Sequence, residues 1–171
     1  MGPGAHEVRH ARRRRGLTRP VTSLPSSESP SVRYTFDSLA AGDVLPEVEF
    51  TVAADDVRAY LEATGESDDR WQEHVPPVML SALMLASLLG QVVLPLGVMH
   101  TGQEHEMHRA VRIGEALTIT VLVAQYSTRR GALMAAFDAE ARAGGEVVAV
   151  SRASVLVPPP EETATAEESA E

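Results

Sequence analysis

An α+β domain, with an antiparallel sheet wrapped around one long apolar helix, is the fold class this sequence predicts. Three observations carry that expectation. Val75 to Met99 runs for 25 residues without a charge inside an otherwise polar, acidic chain. From His100 onward apolar and polar residues begin to alternate, as half-buried strands do. Gly114, Arg130-Gly131 and Gly144-Gly145 then cut this stretch into segments joined by tight turns.

Leu45 to Val52 alternates weakly and reads as a first strand. Ala54 to Thr64 places Val57, Tyr60 and Leu61 at helical spacing; Asp55 and Asp56 near its start suit the helix dipole, and Gly65 ends it. A polar loop, GESDDRWQEHVPP, leads to the central helix, expected over Val78 to Val93. A membrane span is its rival. Yet the run that can be helical, Val78 to Leu94, falls short of the ~20 residues needed to cross a bilayer. Prolines 76, 77 and 95 bound it, and Ser81, Ser87, Gly90 and Gln91 interrupt it. A helix apolar on all sides is buried in a membrane or a core, and the short length assigns this one to a core. Strands follow over Val98 to Val111, Glu115 to Thr128, Ala132 to Ala143 and Glu146 to Val157.

Composition narrows the function. With 171 residues and 44% hydrophobic content the chain allows one domain of ordinary size. There is no cysteine, hence no disulfide, thiolate zinc site or thiol nucleophile. Residues 1–31 form a basic leader with six arginines, expected to be disordered; residues 158–171 form an acidic, equally disordered tail. The folded unit, residues 32–157, carries nine arginines against 17 acidic residues, which argues against a nucleic-acid surface. No apolar segment follows the leading arginines, so the expected location is the cytoplasm.

The order of these elements resembles the MaoC-like hot-dog family of (R)-specific enoyl-CoA hydratases and 3-hydroxyacyl thioester dehydratases. FDSLAAGDVLPEVEFTVAADDVRAYLEATGE resembles the family's opening turn, strand and helix. MLSALMLASLLGQ resembles its central helix, and TGQEHEMHRAVRIGEALTITVLV its strand–turn–strand with a leading Gly-Gln pair. The resemblance covers Phe36 to Pro158 and implies a hot-dog fold, an acyl-thioester or other apolar substrate, no cofactor, and at least a homodimer. The exposed sheet edges of such a fold suit pairing across a two-fold axis.

The departures bear on function. Where the family carries Gly-Asp-x-Asn-Pro-x-His, whose Asp and His move the proton beside the thioester carbonyl, this chain reads Gly65-Glu66-Ser67-Asp68-Asp69-Arg70-Trp71. The Asp place holds Glu66. The His place holds Trp71, whose indole nitrogen only donates a hydrogen bond and cannot serve as a base. The loop that follows is shortened, which makes His74 a candidate replacement, oriented by Glu66 or Asp68. His100, His105 and His108 lie on one predicted strand, where strict alternation puts His105 on the face opposite the other two. They cannot share a metal, and none is expected.

Candidate catalytic residues are therefore Glu66, His74 and Asp68; candidate substrate contacts are Trp71, Met79, Leu83, Met84, Gln103 and His105. Three functions fit. In the first, an apolar pocket is repurposed for a polyketide or acyl intermediate, which is cyclised or isomerised by positioning and hydrogen bonding. In the second, the chain is a silent subunit of a heterodimeric 3-hydroxyacyl thioester dehydratase. In the third, it is an active hydratase using Glu66 and His74.

Overall fold

The computed structural model describes residues 33–159, the side chain of Asp68 excepted. The leader expected over 1–31 and the tail beyond Pro159 lie outside the described residues. The elements are β1 (Tyr34–Thr35), β2 (Val48–Thr51), α1 (Ala54–Thr64), α2 (Pro77–Gln91), β3 (Val92–Val93), β4 (Met99–Met107), β5 (Ala116–Arg129), β6 (Ala132–Ala143) and β7 (Glu146–Val157). Five strands form one antiparallel sheet in the order β2-β5-β6-β7-β4, and β1 pairs in parallel with β3. This is the α+β hot-dog architecture expected from the sequence, with α2 lying on one face of the sheet.

Local chemistry explains both helices. In α1 the Asp56 carboxylate accepts the Ala53 N–H at 2.9 Å, satisfying a donor at the helix start. Gly65 takes the left-handed conformation (φ 73°) and donates its N–H to the Leu61 carbonyl at 2.9 Å, which ends the helix. Pro77 opens α2 at a position where a proline's missing N–H does no harm. Leu80, Met84, Leu88 and Gln91 then recur at spacings of four, four and three, one helical stripe, and all are buried. They face the inner rows of the sheet, built from Val121 and Val123 of β5, Phe137 and Ala139 of β6, and Ala149 and Ala153 of β7. Alanine is frequent in those rows, and its small side chain lets the helix approach closely. Full burial of Leu80 contributes about 1.5–3 kcal/mol.

The opposite stripe of α2 is open: Val78 is 66% exposed and Leu89 40%. A helix apolar on all sides therefore has only one side covered within the described residues of a single chain. At its end Arg33 donates to the Leu89 carbonyl at 3.2 Å. Elsewhere Arg109 donates to Glu115 at 2.7 Å and Glu146 at 3.0 Å, fastening the segment after β4 to β5 and to the β6–β7 turn. Arg109 holds the Glu115 carboxyl below the ordinary carboxylate range.

Four expectations shift. The central helix stops at Gln91 rather than Val93, because β-branched Val92 and Val93 pair with Tyr34 and Thr35. The first strand shrinks from Leu45–Val52 to Val48–Thr51. The strand expected over Val98 to Val111 ends at Met107, since Val111 and Ile113 instead bond back to the loop before α2. Finally, a bulge between His100 and Gly102 resets the alternation of β4. His100 pairs with Val155 and His105 with Ser151, both inward-facing, so these two histidines share the α2 side, contrary to strict parity.

Candidate functional site

The predicted site residues fall into three groups. The first belongs to the loop from Glu66 to Val75. Asp68–Arg70 make one 3-10 turn, and the Ser67 hydroxyl donates to the Asp69 carboxylate at 3.1 Å. The Asp68 side chain lies outside the described part. Glu66 is exposed and close enough to α1 that its charge, together with the larger effect of burial, raises the Tyr60 phenol above its ordinary range. Trp71 is half-buried against the core. His74 is half-buried, bridges Arg112 through the backbone, and shares no hydrogen bond with Glu66. Flanking bonds from Val75 N–H to the Val111 carbonyl and from Ile113 N–H to the Glu73 carbonyl, both 2.9 Å, fix the loop beside the chain that leaves β4.

The second group is on α2. Met79 and Met84 are buried and Leu83 is half-buried against the core, so these three serve the interior. Between α2 and the sheet only a gap of about 10 Å³ remains, lined by Met84, Leu85, Leu88, Gln103 and Ser151 among others. That is room for one water at most. An acyl chain enters this gap only if lining side chains move.

The third group is on β4. Gln103 donates through Nε2 to the Ser151 hydroxyl, which donates onward to the Glu104 carbonyl at 3.0 Å. His105 stands directly across from Ser151 on the same face. Neither of its ring nitrogens reaches solvent and neither has a hydrogen-bond partner. Burial pushes its pKa below the ordinary histidine value, so the ring is neutral near pH 7. Gln103 and His105 are thus brought together, and the loop group is not joined to them by any hydrogen bond.

Ser151 was missed by sequence reasoning. Its signal was available: in EVVAVSRASVLV it is the polar residue on the row of Ala149 and Ala153, both buried. Among the described residues no three His, Asp or Glu side chains are arranged to hold a metal ion. The far face of the sheet carries an open groove of about 700 Å³. Its Asp138 and Arg152 are engaged with each other at 2.6 and 2.8 Å, and Glu104, His105, Glu106 and Thr120 also line it. No helix of the described residues is long and apolar enough to cross a membrane.

An antiparallel five-stranded sheet with a central helix on one face is the hot-dog architecture. Residues 40–150 match the family described as FAS1-like, dehydratase domain region, and the chain belongs to it. No curated protein matches the sequence. Among solved structures it is similar to the (R)-hydratase from A. caviae involved in PHA biosynthesis, with 21% identity and a TM-score of 0.57 over 71% of this chain and 98% of that one. The MaoC-like dehydratase from Rhodospirillum rubrum is 19% identical, with a TM-score of 0.56 over 71% and 94%. The C-terminally truncated HadBC (3R-hydroxyacyl-ACP dehydratase) complex from Mycobacterium tuberculosis is 16% identical, with a TM-score of 0.54 over 68% and 96%. These likenesses bear out the dehydratase-like hot-dog fold.

Proposed function

We propose that this protein binds an extended apolar acyl or polyketide intermediate and cyclises or isomerises it, instead of hydrating it through an acid–base pair in the loop. One observation carries the reading. The side of α2 facing the sheet is filled, while the side bearing Val78 and Leu89 is open and apolar. An acyl chain therefore belongs along the open side, beside the loop of Trp71 and the edge strand β4, in a site that a second hot-dog subunit closes. Sites of this kind are mostly apolar, hold few polar groups and favour interfaces.

A second reading, the silent subunit of a heteromeric dehydratase, draws support from the same open surfaces and from the likeness to the HadBC complex. The reading in which Glu66 and His74 form a working pair is weakened by the lack of a hydrogen bond between them.

Purified protein is expected not to hydrate crotonyl-CoA or longer 2-enoyl-CoA thioesters in an absorbance assay. General acid–base catalysis contributes about 10²–10⁴-fold, so loss of the pair is plain against an active hydratase. The same thioesters are expected to quench the fluorescence of Trp71, the single tryptophan, as they bind. Robust hydration by the protein alone would overturn the proposal. Hydration only when a hot-dog partner carrying the aspartate and histidine is co-expressed would replace it with the second reading.

A further inference from the structure

The unpartnered imidazole of His105 needs an explanation. In folded proteins, buried polar atoms are almost always hydrogen-bonded. Here Nδ1 and Nε2 are both shielded from solvent and both lack a partner. The neighbouring polar groups do not lack partners: Gln103 bonds to Ser151 and Ser151 to the Glu104 carbonyl. His105 is half-buried, and its strand partner Ser151 lines the narrow gap beside α2, as do Gln103 and half-buried Leu85. A leucine at this position would fill the same space without stranding two polar atoms. The position holds a group that is useful only when something else bonds to it.

Resting on the reading that the site takes an acyl thioester, we propose that His105 is the proton-transfer residue of this protein, and that its reaction is a shift of a double bond along the acyl chain. In a 3-enoyl thioester the carbon next to the carbonyl is the acidic one. His105 takes a proton from that carbon; the electrons of the broken C–H bond form a double bond to the third carbon. The original double-bond electrons then take the proton back at the fourth carbon. One proton moves, no atom is gained or lost, and the imidazole ends neutral as it began.

A single base suffices for this step. Hydration needs more, since a water must be activated at one carbon while a proton is delivered to the next. The seclusion of both nitrogens suits the shift and opposes hydration, because a proton held there does not exchange readily with solvent before it returns. With the body of the chain on the open side of α2, only its reacting end has to reach the ring, and Leu85 and Gln103, which flank the gap, must turn aside to admit that end.

The test offers 3-hexenoyl-CoA to the full-length protein and follows the ultraviolet absorbance of the conjugated 2-enoyl product. Wild type is expected to form it, and His105→Gln to lose at least about 10²-fold of that rate, the low end for general base catalysis. His108→Gln, which alters an exposed histidine, is expected to match wild type. Substrate deuterated next to the carbonyl is expected to give product carrying deuterium at the fourth carbon even in light water. Thermal melts of His105→Gln separate lost chemistry from lost folding. If it is unstable, His105→Leu, which fits the apolar surroundings, takes its place. Binding seen as Trp71 quenching without isomerisation would overturn the role of His105 and spare the acyl-thioester reading. An absence of binding to any acyl thioester would overturn both. Full activity in a folded His105 variant, or loss of activity in His74→Ala alone, would move the chemistry elsewhere.

Discussion

At the scale of the residue, His105 ties stability to pH in a definite direction. Burial lowers its folded-state pKa, so between that value and the unfolded value of about 6.5 the unfolded chain binds more protons than the folded one. Stability therefore rises with pH across this window. The contribution of the buried neutral ring is complete above about pH 6.5 and is lost progressively as pH falls toward the folded pKa. His105→Leu removes the titration and also two unsatisfied buried atoms, whose desolvation costs about 1–3 kcal/mol when unpaired. The variant is expected to melt higher than wild type near pH 7 and by a wider margin near pH 5. Calorimetry showing equal or lower melting temperatures at both values would mean that the imidazole has partners in solution.

At the scale of the element, α2 contrasts two stripes of the same composition. Leu80 is 0% exposed against the sheet, whereas Val78 is 66% exposed on the other side. Leu80→Ala is expected to cost about 2–5 kcal/mol in chemical denaturation, because the close-packed interior leaves a cavity. Val78→Ala is expected to change the folding stability of a single subunit by about 0.5 kcal/mol or less. A large loss at Val78 would show that a neighbouring element or subunit covers it and contributes to folding. This element also shows how far the sequence reads. The bounds of α1, β6 and β7 are visible in it because local signals agree there: Asp56 and Gly65 around the helix, Arg130-Gly131 and Gly144-Gly145 at the hairpins. The end of α2 was not visible, since Val92 and Val93 leave the helix only to meet Tyr34 and Thr35, far away in the chain. The face of His105 was misread relative to His100 for a related reason. Nothing in TGQEHEM marks a bulge at Thr101, and one extra residue reverses every side chain before it. At the loop, the residue types were readable and their separation was not: neither Glu66 nor His74 announces that the shortened loop leaves them without a shared hydrogen bond.

At the scale of the whole molecule, two incomplete surfaces adjoin. Seven of the nine residues of β4 are exposed along the sheet edge, leaving its outward backbone groups without strand partners among the described residues of one chain. Exposed apolar Val93, Leu96 and Met99 link it along the chain to α2, whose stripe away from the sheet is open. An edge of this length invites pairing, and in a soluble oligomer pairing about a two-fold axis closes it. Pairing β4 with its own copy would extend the five-stranded sheet to ten strands and bring the open stripes of α2 toward each other. It would also bring Glu104 and Glu106 of both copies near one another on the outer face, and like charges across strands are unfavourable. The association is therefore expected to strengthen with ionic strength, since surface charges are screened within about 10 Å at 0.1 M salt. Light scattering of the full-length protein is expected to give a dimer whose fraction rises between low and moderate salt. Glu104→Gln combined with Glu106→Gln is expected to remove that salt dependence, and Leu89→Arg to weaken the dimer by at least about tenfold by placing a charge in an apolar contact. A monomer at every salt concentration, at the protein concentrations used for binding, would dismiss the two-subunit site and leave the open side of α2 to a different kind of partner.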